Sequence, residues 1–228
     1  MSSLSRDALA RLVAAHLPQQ GFVNLGIGAP SHVADHLQPD SGVILHSENG
    51  ILNIGPRPPQ GEEDWDLINA SKIPITARPG CSYFDSSLSF AMMRGGHIDV
   101  AILGAFQVSQ SGDLANWSTG ERNGSVPGIG GAIDLAVGAK SIWVMMEHTT
   151  RDKAPRIVDR CTYPLTAAGV VSRIFTDLAI IDITPDGLVV DALLESASIE
   201  TLKVVTAAPL IASGSMRTIG LDGTIGGI

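Results

Sequence analysis

The run Gly42-Val43-Ile44-Leu45-His46-Ser47-Glu48-Asn49-Gly50 joins an apolar segment to a carboxylate, an amide and a glycine. Its first half, "GVIL", is nearly continuous in apolar character. Such a run reads as a strand covered on both faces, as inside a parallel sheet, rather than as a half-wet edge strand with alternating residues. Polar residues then stop it abruptly. Glu48 stands at that boundary with no cationic neighbour in the chain to pair it.

The flanking sequence supports the same kind of sheet. Residues 5–17, "SRDALARLVAAHL", put Leu9, Leu12, Val13 and Leu17 on one helical face behind Ser5, a good N-cap. Residues 22–30, "FVNLGIGAP", predict a short strand entering a glycine turn, and Ser31 a cap for a helix through "HVADHL". A weaker strand is expected in "PITARPG", and a helix in "SSLSFAMMRGG", opened by Ser86 or Ser87 and stopped by Gly95 and Gly96. Further strands are read in "HIDVAILGAF" and "SIWVMMEH", and "VPGIGGAIDLAVGAK" passes from a glycine loop into a helix. "LAIIDITPDGLVV" gives two strands about a Pro185-Asp186-Gly187 turn, and "SIETLKVVTA" a last helix. Residues 209–228 are rich in Gly and Ser, show neither period, and are expected to form a loosely held tail. Strands alternating with helices indicate an α/β fold: a single domain with a largely parallel central sheet flanked by helices. In such sheets the working loops lie beyond the carboxyl ends of the strands, where Glu48 falls.

Bulk properties narrow the function. With 228 residues and 44% hydrophobic content the chain can bury a full core, built from aliphatic residues because aromatics make up only 4%. The net charge of −8 and the lack of any Lys/Arg cluster argue against nucleic acid as a partner. Cys81 and Cys161 match neither a metal spacing nor a disulfide framework and read as free thiols. Arg6, Asp7 and Arg11 interrupt any apolar signal segment, and no apolar run would span a bilayer. A cytoplasmic protein without a membrane partner is expected.

A carboxylate at a strand end serves as acid or base, metal ligand or nucleophile, or simply as a capping or ion-pairing group. Ser47, Asn49 and Gly50 offer no metal set, so no metal is expected. Gly50 leaves room for a bulky substrate, which suits a nucleophile; a structural Glu remains the alternative. Gly130 and Gly131 precede an amphipathic segment and would present backbone N–H groups to an anion or a developing oxyanion, or else form an ordinary turn. "NLGIGAP" lacks the last glycine of a dinucleotide fingerprint and the acidic residue that should follow it. His97 and His148 read as structural, and the Met pairs of "FAMM" and "VMM" as core filling. Trp117 is a residue for the cleft or for an interface, and Arg57, Arg78 and Arg122 are cations able to receive a carboxylate.

"HSENGILNIGP", preceded by "VNLGIGAP" and followed by "GDLANW", "GIGGAIDLAVGAK" and "MMEHT", resembles the β subunit of class I (3-oxoacid) CoA-transferases over residues 6–207. "SFAMMRGGHID", "LGAFQVS" and "CTYPLT" are most similar to its 3-oxoadipate branch. The resemblance implies a CoA-transferase-like fold over residues 1–208, resembling the sugar-phosphate isomerase/CoA-transferase fold. It implies transfer of CoA from succinyl-CoA to a 3-oxo acid through a glutamyl-CoA thioester on Glu48, with acetoacetate as the alternative acceptor to 3-oxoadipate. CoA is then a substrate, and no cofactor is needed. Gly131 would supply an oxyanion donor, and Asn49, Gly50 and Gly130 would shape and border the substrate and CoA site. An α subunit is the implied partner, in an α2β2 assembly. A CoA-ester hydrolase or a non-catalytic module on the same fold is the more distant alternative. Two departures stand out: Asn53 where small residues are usual, and a longer stretch between Trp117 and Gly130.

Overall fold

The computed structural model describes residues 2–120 and 129–226. In chain order the elements are α1 (Arg6–His16), β1 (Gln20–Leu25), a 3-10 helix (Ala29–His36), β2 (Gly42–Ser47), β3 (Ile51–Ile54), β4 (Ala77–Tyr83) and α2 (Ser86–Arg94). There follow β5 (Val100–Leu103), β6 (Gln107–Ser109), β7 (Leu114–Ala115), α3 (Ala132–Gly138), β8 (Ser141–Met146) and β9 (Ile157–Val158). The chain closes with β10 (Val171–Thr176), β11 (Ala179–Thr184), β12 (Gly187–Leu194), α4 (Ile199–Val204), β13 (Leu210–Ile219) and β14 (Ile225–Gly226).

Eleven strands form one sheet in the order β14-β13-β12-β11-β10-β8-β5-β1-β2-β3-β4. Its centre, β2-β1-β5-β8-β10, is parallel throughout. Both flanks turn antiparallel, at β3 and β4 on one side and β11 and β12 on the other. All four residues of β5 are buried, as its unbroken apolar run requires. Leu45, Ile102, Ile142 and Phe175 lie fully inside, and α1 adds Leu12 and Val13 to the same core. β7, β6 and β9 make a separate three-stranded sheet.

The helix starts follow side-chain chemistry. Ser5 accepts from the Ala8 N–H at 3.1 Å and caps α1 as expected. In α2 the cap is Asp85, one residue before the expected serines; it accepts from Leu88 N–H at 2.9 Å and from the Ser87 hydroxyl. A carboxylate there also complements the helix dipole. The helix expected from Ser31 is of 3-10 type and begins earlier, with Gly28 at its N-cap and the Ser31 hydroxyl donating to the Gly28 carbonyl at 2.7 Å. α4 has a full capping box between Ser198 and Thr201.

The expected loose tail is corrected. Leu210–Ile219 is a ten-residue strand running parallel to β12, and β14 folds back antiparallel on it. Most β13 side chains are exposed or half-buried, so backbone hydrogen bonds rather than an apolar face hold the strand, and its sequence carries no alternation. Arg217 on this strand pairs with Asp191 on β12.

Candidate active site

β1 and β2 are parallel neighbours, after which the chain crosses over to place β5 on the other side of β1. The two crossovers part at the carboxyl ends of β1 and β5, and in open α/β sheets such a switch point opens a crevice. A cleft of about 400 Å³ lies there, lined by Gly26 and Ile27 after β1, Glu48 after β2, and Leu103 at the end of β5 with Gly104 to Phe106 after it. Residues 129–132 at the start of α3, with Leu135, Asn116 and Arg156, close it. Gly26 and Ile27 of "NLGIGAP" therefore border this cleft.

Glu48 is presented by a turn in which the Gly50 N–H donates to the Ser47 carbonyl at 3.0 Å. The turn is tied down around it. The Ser47 hydroxyl accepts from the Ala70 N–H at 3.0 Å, and the Asn49 amide donates to the Ile68 carbonyl at 2.8 Å. Gly50 sits at φ +106°, and a Cβ there would lie 2.0 Å from the Phe84 carbonyl oxygen, so only glycine fits. Asn49 and Gly50 thus shape the turn, while Gly130 and Gly131 line the cleft beside Glu48. Beneath the turn, the buried His46 ring meets the Asn24 amide at 2.9 Å and the Ser89 hydroxyl at 3.0 Å. Burial pushes its pKa down to about 4, so the imidazole is a neutral strut at physiological pH.

The Glu48 carboxylate is half-buried. Burial raises its pKa above the ordinary carboxylate value; a hydrogen bond from the Gly131 N–H opposes the shift, and the charge of Asp134 adds to it. Gly131 approaches so closely that a Cβ on it would lie 2.5 Å from Glu48 Oε2 and 3.3 Å from Met93 Cε. A Cβ on Gly130 would lie 3.2 Å from Oε1. α3 is fixed against α2 by the ion pair Arg94–Asp134 at 2.5 Å, and by Gly138, where a Cβ would lie 2.1 Å from the Met93 carbonyl. The result is an ionisable carboxylate in a mostly apolar cleft, packed close against the backbone of Gly130 and Gly131.

Several expected residues lie elsewhere. Arg57 is paired with Asp35 at 2.6 Å, and the Arg78 guanidinium donates to the carbonyls of Gln38 at 3.1 Å and Val43 at 3.4 Å; neither lines the cleft. Arg122 lies outside the described residues, as do residues 121–128 of the longer stretch after Trp117. The Trp117 indole donates to the Leu165 carbonyl at 3.2 Å, and its neighbour Asn116 is the one that reaches the cleft. Asn116 is held there by donating to the Gly104 carbonyl at 3.2 Å and accepting from the Thr166 hydroxyl at 2.6 Å. Asn53 takes a left-handed φ of +65° at a bulge and donates to the Pro79 carbonyl at 2.9 Å, so it holds β4 rather than shaping the cleft. His148 is fully buried between the hydroxyls of Thr176 at 3.0 Å and Thr206 at 2.9 Å, which makes it structural.

Arg156 went unnoticed in the sequence. It lines the cleft, and its Nε is buried with no hydrogen-bond partner among the described residues. Leaving such a donor unmet costs about 1–3 kcal/mol, and more for a charged group. Among the described residues, no group of three or more His, Cys, Asp or Glu side chains converges as a metal site would require, and no helix is long and apolar enough to cross a membrane.

A family model described as Coenzyme A transferase matches residues 6–206. A subunit of the 3-oxoadipate CoA-transferase of Pseudomonas putida is 52% identical over 208 residues, covering 91% of this chain and 97% of that one. A subunit of the succinyl-CoA:3-ketoacid coenzyme A transferase of Helicobacter pylori is 44% identical over 203 residues, covering 89% of this chain and 97% of that one. An acyl-CoA transferase apoenzyme from Escherichia coli shares the fold with a TM-score of 0.73 at 18% identity; the match covers 98% of this chain and 46% of that protein, so this chain spans about half its length.

Proposed function

The chain belongs to the coenzyme A transferase family, and we propose that it is the β subunit that carries the covalent nucleophile, Glu48, for moving CoA from succinyl-CoA to 3-oxoadipate. Acetoacetate or another short 3-oxo acid is the second reading, supported by the 44% identity to the Helicobacter pylori subunit. The observation that carries the proposal is Glu48 itself: a half-buried carboxylate, at a strand end in a cleft, close against the glycine pair Gly130-Gly131.

The geometry fits a four-step exchange. In the first, a Glu48 oxygen attacks the thioester carbon of the donor; the C–S bond breaks, leaving a mixed anhydride and CoA thiolate. In the second, the thiolate attacks the Glu48 carbonyl, the donor acid departs as carboxylate, and a glutamyl-CoA thioester remains. In the third, the acceptor carboxylate attacks that thioester carbon and the C–S bond breaks, giving a second mixed anhydride and CoA thiolate; in the fourth, the thiolate attacks the acceptor carbonyl and Glu48 departs as the free carboxylate. In the two middle steps the developing oxyanion forms on Glu48's own oxygen, and the closeness of Gly131 to that carboxylate supports its N–H as the donor. Losing such a donor costs on the order of a hundredfold or more in rate. Partial burial strips water from the carboxylate and keeps water from the anhydride and the thioester. One thioester replaces another, so the exchange needs no external energy source.

This reading includes an α subunit that completes the site, in an α2β2 assembly working in the cytoplasm, with CoA held between the two chains. Both relatives are themselves named as one subunit of an enzyme, which supports the partner. The test mixes this chain with its cognate α subunit and succinyl-CoA, adds borohydride, and maps the reduced residue by mass spectrometry. Glu48 should be reduced, and the Glu48→Gln complex should neither trap nor exchange. Undiminished exchange by that variant would overturn the assignment.

A further inference from the structure

We propose that Arg156 receives the free carboxylate at the far end of the acyl group, making this chain rather than its partner the reader of dicarboxylic substrates; the assignment rests on the transferase reading above. Succinyl and 3-oxoadipyl groups both keep one carboxylate when the other end is a thioester, whereas an acetoacetyl group has none. A cleft that selects the former needs a cation facing its apolar wall. Arg156 is the one cation among the described residues lining it, and Glu48 the one anion. Its buried Nε has no partner among the described residues, while the other candidates, Arg57 and Arg78, already hold an aspartate and backbone carbonyls.

The position is built to be rigid. The Arg156 N–H donates to the His148 carbonyl at 3.2 Å, and its carbonyl accepts from the Val108 N–H at 2.9 Å, joining it to β6 just before β9. His148 in turn is buried and doubly hydrogen-bonded. Apolar lining is supplied by Leu103, Ala105, Phe106 and Leu135, surface suited to the methylenes of a short dicarboxylic chain. A planar guanidinium takes a carboxylate through two parallel N–H bonds, a geometry an ammonium cannot copy.

Arg156→Gln and Arg156→Lys are assayed in complex with the cognate α subunit, with 3-oxoadipate and acetoacetate as competing acceptors. In a ping-pong exchange, kcat/KM for the acceptor reports only the half-reaction in which it takes part. With Gln, kcat/KM for 3-oxoadipate should fall at least ~30-fold, the scale for removing one partner of a buried charge pair. The acetoacetate value should stay within about threefold, since that substrate makes no such pair, and Lys should restore part of the loss. Equal losses for both acceptors together with weaker inhibition by free CoA would assign Arg156 to a CoA phosphate and overturn the proposal. Unchanged values for both would overturn it too. A wild-type complex inert toward every donor and acceptor would overturn the transferase reading, and this assignment with it.

Discussion

Gly131→Ala separates the site from the fold better than any deletion of Glu48. Gly131 has φ −83° and ψ 9°, which alanine adopts without strain. The cost falls on Glu48, the proposed nucleophile. The new methyl would sit 2.5 Å from Glu48 Oε2, roughly 0.9 Å inside ordinary contact, with Met93 Cε at 3.3 Å limiting retreat. The carboxylate must swing away by about that amount and lose the Gly131 N–H. A misplacement near 1 Å costs on the order of 10²-fold, or about 2.7 kcal/mol of transition-state stabilisation. Stability should change by less than about 1 kcal/mol, shifting Tm by only ~2–4 °C.

Gly130→Ala is the paired control. Its methyl would meet Oε1 less closely, at 3.2 Å, but φ of +49° makes a side chain costly, by about 1–2 kcal/mol. It should lower Tm more and the rate less than its neighbour. The assay is steady-state exchange by the α–β complex, with thermal melts of each variant. A Gly131→Ala complex that turns over within about threefold of wild type would refute the reasoning, since the tightest contact at Glu48 would then have no bearing on attack.

If Glu48 is the nucleophile as proposed, its pKa, raised by burial, places the acid limb of kcat/KM for succinyl-CoA at a higher pH than an exposed carboxylate would, because only the ionised form attacks. A limb at or below the ordinary carboxylate range, measured with the intact complex, would contradict that environment. His46 and His148 both have folded pKa values near 4 against 6.5 unfolded, so their contribution to stability is complete above about pH 6.5 and drains away as pH falls toward 4. Each is worth up to ~3 kcal/mol over that window. His148→Asn should melt lower at neutral pH yet lose less Tm on acidification to about pH 5 than wild type; an unchanged slope would rule His148 out as a source.

What could be read from the sequence was whatever left a local mark. "GVIL" before Glu48 and "VAIL" at 100–103 are largely covered on both faces, so their apolar runs are continuous, and both form central strands. Gly131 was legible because a glycine pair opening a helix serves either as a turn or as an anion cradle, and both uses place it at a loop end. Arg156 was not. "APRIV" looks like any surface loop, and only the pairing of β9 with β6 carries it into the cleft far from Glu48 in the chain. β13 escaped notice for the opposite reason: its strand is real, but its side chains face mainly solvent and impose no period. Asn53 stood out only as a departure from small residues because its left-handed φ, and the bond that turns its side chain to Pro79, have no counterpart in a linear string.

The charges of the cleft explain why one distant arginine would matter to the reaction. In the proposed exchange Glu48 must be anionic to attack, yet succinyl-CoA arrives with a carboxylate of its own. Two unit charges about 6 Å apart repel by roughly 3 kcal/mol at an effective dielectric of 20, enough to slow the first step by two orders of magnitude. Water cannot be the remedy, because the anhydride and the thioester require its exclusion. A fixed cation at the far end of the acyl chain offsets the repulsion without lowering the reactivity of Glu48, provided it stays too far to pair with the nucleophile. Glu48 is not ion-paired among the described residues, and its pKa stays raised, which is the state that such a separation preserves.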